Sequence, residues 1–104
     1  VAAEALYFNA YFKNKEGKYA ASNTVIQKLA KDYSSYKLYS AKGLVVMAKN
    51  YYALDDAFQA TYILESVMDN FKEFNDVVQE AETELRIIKA EEAKTNSSIE
   101  TDDN

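Results

Sequence analysis

Apolar residues recur at the three- to four-residue spacing of a helix face in five segments of the chain. The segments cover about residues 2–16, 18–33, 36–54, 56–71 and 76–94. Residues that end or cap helices stand between them, namely Gly17, Ser34, Ser35, Asp55 and Asn75. The apolar positions of the fifth segment are Val78, Ala81, Leu85 and Ile88. The pattern predicts five α-helices joined by short turns.

Composition also favours an all-α fold. The chain has 104 residues, of which 48% are hydrophobic, enough for one small domain with one core. It has no proline and only two glycines, Gly17 and Gly43. A β-sandwich or an α/β domain of this length needs more turn residues than that, whereas long helices need few.

Few residues offer catalytic or metal-binding chemistry. The chain has no cysteine and no histidine, which removes thiol nucleophiles, disulfides, the usual zinc sites and imidazole bases. Asp55 and Asp56 lack the spaced oxygen ligands and the central glycine of a calcium loop. Glu80 and Glu84 share a helix face but have no further converging ligands. We therefore predict no catalytic residue, no metal, no cofactor and no enzyme activity.

Charge is concentrated near the C-terminus. The net charge is −5, and residues 91–104 contribute −4 of it through five acids and one lysine. The preceding residues are almost neutral and show no basic stripe for nucleic acid. No run of about 18 apolar residues is present, so no membrane insertion is expected. Residues 95–104 form a short, polar and acidic segment, which we predict to be a disordered tail.

The sequence also contains an internal repeat, which becomes visible when the chain is shifted so that Leu6 falls on Leu44. Residues that match under this shift are alike in size: Leu6 and Leu44, Ala10 and Ala48, Ser22 and Ala60, Ile26 and Leu64, Leu29 and Val67, Tyr33 and Phe71. Repeated helix pairs have this appearance when packing is the property that is specified. The repeat predicts two antiparallel helix hairpins followed by one further helix.

The repeat resembles the tetratricopeptide repeat (TPR) family. Residues 44–71 fit its pattern well, through Leu44, Ala48, Tyr51, Ala60, Leu64 and Val67. The first repeat fits through Leu6, Ala10, Gly17, Tyr19, Ile26 and Leu29. It departs in having Ser22 where alanine is usual and Lys13 where tyrosine is expected, unless one residue is inserted and Phe12 takes the place of the tyrosine. Both repeats lack the usual proline and are longer than the family's usual unit of about 34 residues.

The resemblance implies a right-handed α-solenoid in residues 1–94. Repeat one covers about residues 2–34, repeat two about 36–72, and a capping helix about 75–94. The length of the repeats is similar to that of the exported bacterial branch, which implies a periplasmic or outer-membrane-associated scaffold for envelope assembly. The alternative is a helical domain that binds a small ligand or peptide in an envelope uptake system.

The resemblance further implies a concave face on which the first helix of each pair binds a protein or peptide. Carried over residue by residue, this face comprises Glu4, Tyr7, Tyr11, Asn14, Lys42, Val45, Lys49, Tyr52 and, from the fifth helix, Arg86. Tyrosine suits such surfaces because it combines a large apolar ring with a polar end. The alternative is that these tyrosines only pack or face solvent.

The first helix is apolar nearly all round, which is typical of a buried helix. Leu6, Phe8 and Phe12 cannot all be covered by the remaining helices of a two-repeat array. We expect either upstream repeats of a longer chain or a second copy to cover this helix. The start at Val1 rather than methionine indicates a processed chain or an excised fragment.

Overall fold

The computed structural model describes the backbone of residues 2–102 and the side chains of residues 2–96. Within that range the chain forms five α-helices and no strand. They are α1 (Ala2–Lys15), α2 (Tyr19–Asp32), α3 (Lys37–Ala53), α4 (Ala57–Asn70) and α5 (Asn75–Asp102). The all-α prediction is therefore confirmed, and the predicted helices match in number and order.

The C-terminal helix is longer than the sequence pattern predicts. A disordered tail is expected at residues 95–104, but α5 continues to Asp102, and residues 103 and 104 lie outside the described range. The stretch contains no proline or glycine, and extending an existing helix needs only one more hydrogen bond per residue. The inward stripe of α5 also begins one residue earlier, because Val77 is buried and Val78 is only half-buried.

The turns within the two helix pairs have the same geometry at equivalent positions of the repeat. Gly17 and Asp55 both adopt left-handed backbone angles, with φ of 79° and 65°. Asp55 therefore ends α3 and does not cap α4 as predicted. The N-cap of α4 is Asp56, whose Oδ1 accepts a hydrogen bond of 3.0 Å from the Gln59 N–H. Aspartate tolerates the left-handed region better than most residues, which explains its place at this turn.

The ends of α2 and α4 also repeat. Tyr33 and Phe71 follow these helices with nearly equal backbone angles, φ −131° and ψ 37° against φ −129° and ψ 40°. Each ring contacts the aromatic ring three residues further on, Tyr36 or Phe74, with centroids 6.1 and 6.5 Å apart. Tyr36 precedes α3 without a side-chain cap, so the predicted capping by the two preceding serines is wrong.

Helix α3 is the centre of the molecule. It contacts each of the other four helices, whereas α1 and α5 do not contact one another within residues 2–102. Consecutive helices pack in pairs, α1 with α2 and α3 with α4, and α5 packs against both α3 and α4. The described part is flat and elongated, with extents of 56 × 28 × 18 Å. The side chains of α1, α3 and α5 together form a surface that we call the α1–α3–α5 face.

Small residues lie where helices approach closely. Ala10, Ala48 and Ala60 are fully buried, as the repeat predicts. At Gly43 an added Cβ would lie 3.2 Å from Leu29 Cδ2, so glycine allows α2 to approach α3. Large aliphatic residues fill the remaining space, and Leu64 is also fully buried. Packing of this density leaves little room for added volume.

A buried amide joins the first helix pair to α3. Asn50 is fully buried, and its Nδ2 donates hydrogen bonds of 2.8 Å to Ser22 Oγ and to Asn23 Oδ1 on α2. Its Oδ1 accepts a bond of 2.8 Å from Asn14 Nδ2 on α1. Ser22 Oγ in turn donates to the Ala10 carbonyl at 2.7 Å. The network gives the Ser22 hydroxyl two hydrogen-bond partners, which explains serine at the position where the second repeat has Ala60.

We expect Ala60→Leu to lower the free energy of unfolding by about 1–3 kcal/mol, because the added methylenes overpack a closed contact. Urea denaturation measures this change. Ala90→Leu, on the exposed side of α5, is the matched control and should have little effect. Equal unfolding midpoints for the Ala60 variant and the wild type would contradict the packing described here.

We expect Asn50→Ala to lower the free energy of unfolding by about 1–3 kcal/mol, because it removes hydrogen-bond partners from buried polar groups of α1 and α2. The same urea experiment applies. Asn70→Ala is the control, because Asn70 is exposed and binds only Ser66 of its own helix. A loss no larger than that of the control would show that the network does not stabilise the fold.

Candidate functional site

Three tyrosines and two lysines gather on the α1 side of the α1–α3–α5 face. The Tyr7 ring lies 6.2 Å from Tyr11 on α1 and 6.1 Å from Tyr39 on α3, between centroids. Lys42 Nζ stands 5.7 Å from the Tyr7 centroid and 5.6 Å from that of Tyr39. Lys15 Nζ lies 5.1 Å from the Tyr11 centroid. We call these five residues the aromatic–lysine cluster, and its ammonium groups are held by cation–π attraction.

Glu4 closes one end of the cluster. The Tyr39 hydroxyl donates a hydrogen bond of 2.7 Å to Glu4 Oε2. This bond raises the pKa of Tyr39 because it stabilises the neutral phenol beside a carboxylate. Burial, followed by the charge of Glu80, raises the pKa of Tyr7. Both phenols therefore remain neutral donors at physiological pH.

Lys49 of α3 is engaged by two carboxylates of α5. Its Nζ lies 2.8 Å from Glu80 Oε2 and 3.9 Å from Glu84 Oε1. Burial alone lowers the pKa of Lys49, but the bond and charge of Glu80, with the charge of Glu84, leave it raised. The two glutamates thus hold a lysine, and no group of acids in the described range could hold a metal ion.

Tyr52 makes a second contact between the same helices. Its hydroxyl donates a hydrogen bond of 2.5 Å to Glu91 Oε2. That bond, with burial and nearby acids, raises the pKa of Tyr52 to about 12. We call Lys49, Tyr52 and their three glutamate partners the α3–α5 brace. Lys49 and Tyr52, on the α5 side of the α1–α3–α5 face, are therefore already bound to groups of the same molecule.

Three of the predicted face residues lie elsewhere. Val45 is 1% exposed and belongs to the core around α3. Asn14 binds Asn50 in the buried network. Arg86 is exposed, and its Nη1 lies 3.7 Å from Oε1 of Glu82, which precedes it by four residues on α5. Because successive residues of a helix are about 100° apart, the Arg86 side chain leaves α5 roughly 140° away from the side that carries the glutamates of the brace.

The structure brings Glu4, Tyr7, Tyr11 and Lys42 together on one side of the α1–α3–α5 face, and it shows two features that the sequence interpretation missed. Tyr39 was overlooked, although it stands three residues before Lys42 on the same helix side. The sequence interpretation also did not pair the glutamates of the brace with α3, although their spacing of four and seven residues places them on one side of α5.

Apolar side chains are also exposed outside this face. Phe8 and Phe12 on α1 are 45% and 58% exposed, and Phe58 and Tyr62 on α4 are 80% and 65% exposed. A depression of about 420 Å³ next to Lys42 is open to solvent and includes Leu38 and other residues near the start of α5. None of the described helices is long and apolar enough to cross a membrane.

Comparison with known proteins adds no assignment. No protein-family model, curated protein or solved structure matches the chain. Its function must therefore be inferred from the geometry of its own side chains.

We expect Glu91→Gln to move the ionisation of one tyrosine to lower pH, because the charge that holds the Tyr52 phenol neutral is lost. Absorbance at the phenolate band against pH measures this shift. In the wild type the raised pKa stabilises the fold below the ordinary tyrosine value of about 10, and this contribution disappears as pH rises from about 10 to about 12. Glu82→Gln, which removes an acid from the other side of α5, should leave the titration unchanged. Identical curves for wild type and Glu91→Gln would contradict the brace.

Proposed function

We propose that this chain is a protein–protein interaction module built as a TPR-like right-handed α-solenoid. Support for the architecture comes from the internal repeat, whose two turns share a left-handed residue at Gly17 and Asp55. Burial at Ala10 and Ala48, and at Ile26 and Leu64, also matches between the repeats. A role in assembling a bacterial envelope complex is supported by the resemblance of the chain to the exported TPR branch.

Helix α5 fits the role of a capping helix. Its buried residues form one stripe: Val77, Ala81, Leu85 and Ile88. Its outer side carries the Glu82–Arg86 ion pair and faces solvent. Terminal elements of repeat arrays need such a polar outer face.

The partner-binding region that we propose is the aromatic–lysine cluster, and its free cations are the observation that carries the proposal. Lys15 and Lys42 form no ion pair with any described carboxylate, and their ammonium groups lie over aromatic rings. Tyr7 and Tyr11 present half-buried rings beside them. Rings of this kind supply contact area at little entropic cost, and tyrosine is frequent among binding hot spots. A ligand with an apolar side chain next to a carboxylate would complement both groups.

The α3–α5 brace limits where such a ligand can lie. Lys49 and Tyr52 already hold carboxylates of α5, so an acidic ligand would have to displace Glu80 or Glu91. Binding is therefore assigned to the α1 side of the face. An extended peptide or a helix lying along α1 and α3 would contact Tyr7, Tyr11 and Lys42 together.

Selection of random peptides on the immobilised protein tests this function. We expect enriched peptides to combine an apolar residue with Asp or Glu, and Lys42→Ala to weaken their binding by roughly tenfold through loss of charge pairing. A Tyr7→Ala, Tyr11→Ala variant should weaken binding further, with circular dichroism confirming its fold. Tyr62→Ala, an exposed tyrosine on α4, is the matched control and should bind as wild type. Equal affinity of all variants would overturn the assignment of the cluster.

A further inference from the structure

An apolar stripe on α1 has no partner among the described residues. It comprises Ala5, Phe8 and Phe12, all exposed, with the two phenylalanine rings 6.4 Å apart. At about 100° per residue these side chains lie roughly opposite Ala10, which is buried against the rest of the fold. We call this set the outer stripe. It is separate from the aromatic–lysine cluster, although Phe8 and Phe12 contact its tyrosines.

The same positions in the next repeat are covered. The shift that relates the two repeats places Ala5, Phe8 and Phe12 on Gly43, Val46 and Asn50 of α3. Val46 is 5% exposed and Asn50 is fully buried, against 45% and 58% for the two phenylalanines. Other equivalent positions of α1 and α3 do match in burial, since Ala3 and Ala41 are both buried, as are Ala10 and Ala48.

The residues that cover α3 show what the outer stripe lacks. An added Cβ at Gly43 would meet Ile26 and Leu29 of α2 at 3.3 and 3.2 Å. Val46 packs in a cluster with Ile26 and with Ala10 of α1. The first helix pair therefore covers α3 with two aliphatic residues from its second helix and a small residue from its first.

We infer that the outer stripe is the docking site for a partner helix hairpin, seated on α1 as the first helix pair is seated on α3. The inference rests on the repeat architecture of the proposed function. The comparison with the first helix pair also indicates which residues the partner hairpin needs. It needs aliphatic residues at the positions equivalent to Ile26 and Leu29, and a small residue at the position equivalent to Ala10. Because Phe12 replaces Asn50, the occupant needs apolar residues where the first helix pair has Asn14, Ser22 and Asn23.

A second copy of this chain does not present such a surface. The inner side of its first helix pair is covered by its own α3, and that of its second pair by its own α5. The outer side of α5 is charged, through Glu82 and Arg86. The apolar contacts left to a second copy are its own outer stripe and the exposed rings of Phe58 and Tyr62 on α4, and sedimentation of the unfused chain tests for such a dimer.

The probe is an added hairpin fused directly before Val1 of the full chain. It repeats residues 1–38 and carries Asn14→Leu, Ser22→Ala and Asn23→Leu within the added copy, so that its inner side is apolar. The fusion reproduces the existing connection between α2 and α3, because Val1 corresponds to Tyr39 in the repeat. A matched control fusion carries, in addition, Ile26→Ser and Leu29→Ser in the added copy.

We expect the added hairpin to raise the melting temperature by roughly 5 °C and to about halve the fluorescence of an apolar-surface dye, because Phe8 and Phe12 become covered. The control fusion should show neither change. Peptide binding at Lys42 is measured in parallel, so that failure of the proposed function is recognised separately.

Two results would overturn the inference. One is an added hairpin that leaves dye binding and melting unchanged, whether or not it is helical by circular dichroism. The other is a dimer of the unfused chain in sedimentation experiments that Phe12→Glu converts to monomer, since the outer stripe would then be an interface between copies. A monomeric unfused chain whose dye binding falls on Phe8→Ser, Phe12→Ser substitution supports the docking site.

Discussion

The packing of the first helix pair against α3 depends on the hydrogen bonds of one buried amide. Asn50 has both its Nδ2 hydrogens and its Oδ1 engaged, by α2 and α1 respectively. An aliphatic residue there would tolerate small rotations of the first helix pair, because apolar contact has no direction. An amide without its partners is costly to bury, so only one register satisfies it. That register sets Tyr7 beside Tyr39 and Lys42, and the aromatic–lysine cluster is its consequence.

Helix α3 makes different polar contacts with α1 and with α5. Towards α1 it presents the Lys42 ammonium group, which forms no ion pair with a described carboxylate, beside Tyr39, whose hydroxyl donates to Glu4. Towards α5 it places Lys49 and Tyr52 in the brace. These exposed contacts contribute little to stability individually, since water and salt screen them. Their effect is on ligand binding, because a group that is already paired within the molecule is not available to a ligand. The two halves of the face therefore differ less in residue type than in whether their lysine is already paired: Lys49 binds Glu80, whereas Lys42 has no ion pair with a described carboxylate.

Sequence reasoning succeeded where one helix alone decides the outcome. The five helices and the alanines of the repeat follow from periodicity and side-chain size. It failed where neighbours decide: Tyr7 and Val45 are equivalent in the repeat, yet Val45 is buried because α3 has helices on both sides. Periodicity also cannot separate adjacent turn residues, which is why Asp55 was chosen as the cap of α4 in place of Asp56. The glutamates of the brace were missed for a similar reason, since they become partners of Lys49 and Tyr52 only through the position of α3.

The first and last helices of the described part differ in their outer surfaces. The outer side of α5 carries charged residues, whereas α1 presents aromatic residues at positions whose equivalents in α3 are buried. Contact of α1 with the outer side of α5 of another molecule would place Phe8 and Phe12 against an ion pair, at the cost of its desolvation. Head-to-tail stacking, which leads to open filaments when the rotation does not close, is thereby disfavoured. The asymmetry therefore makes the outer side of α1 more favourable than the outer side of α5 for apolar contact with another helix.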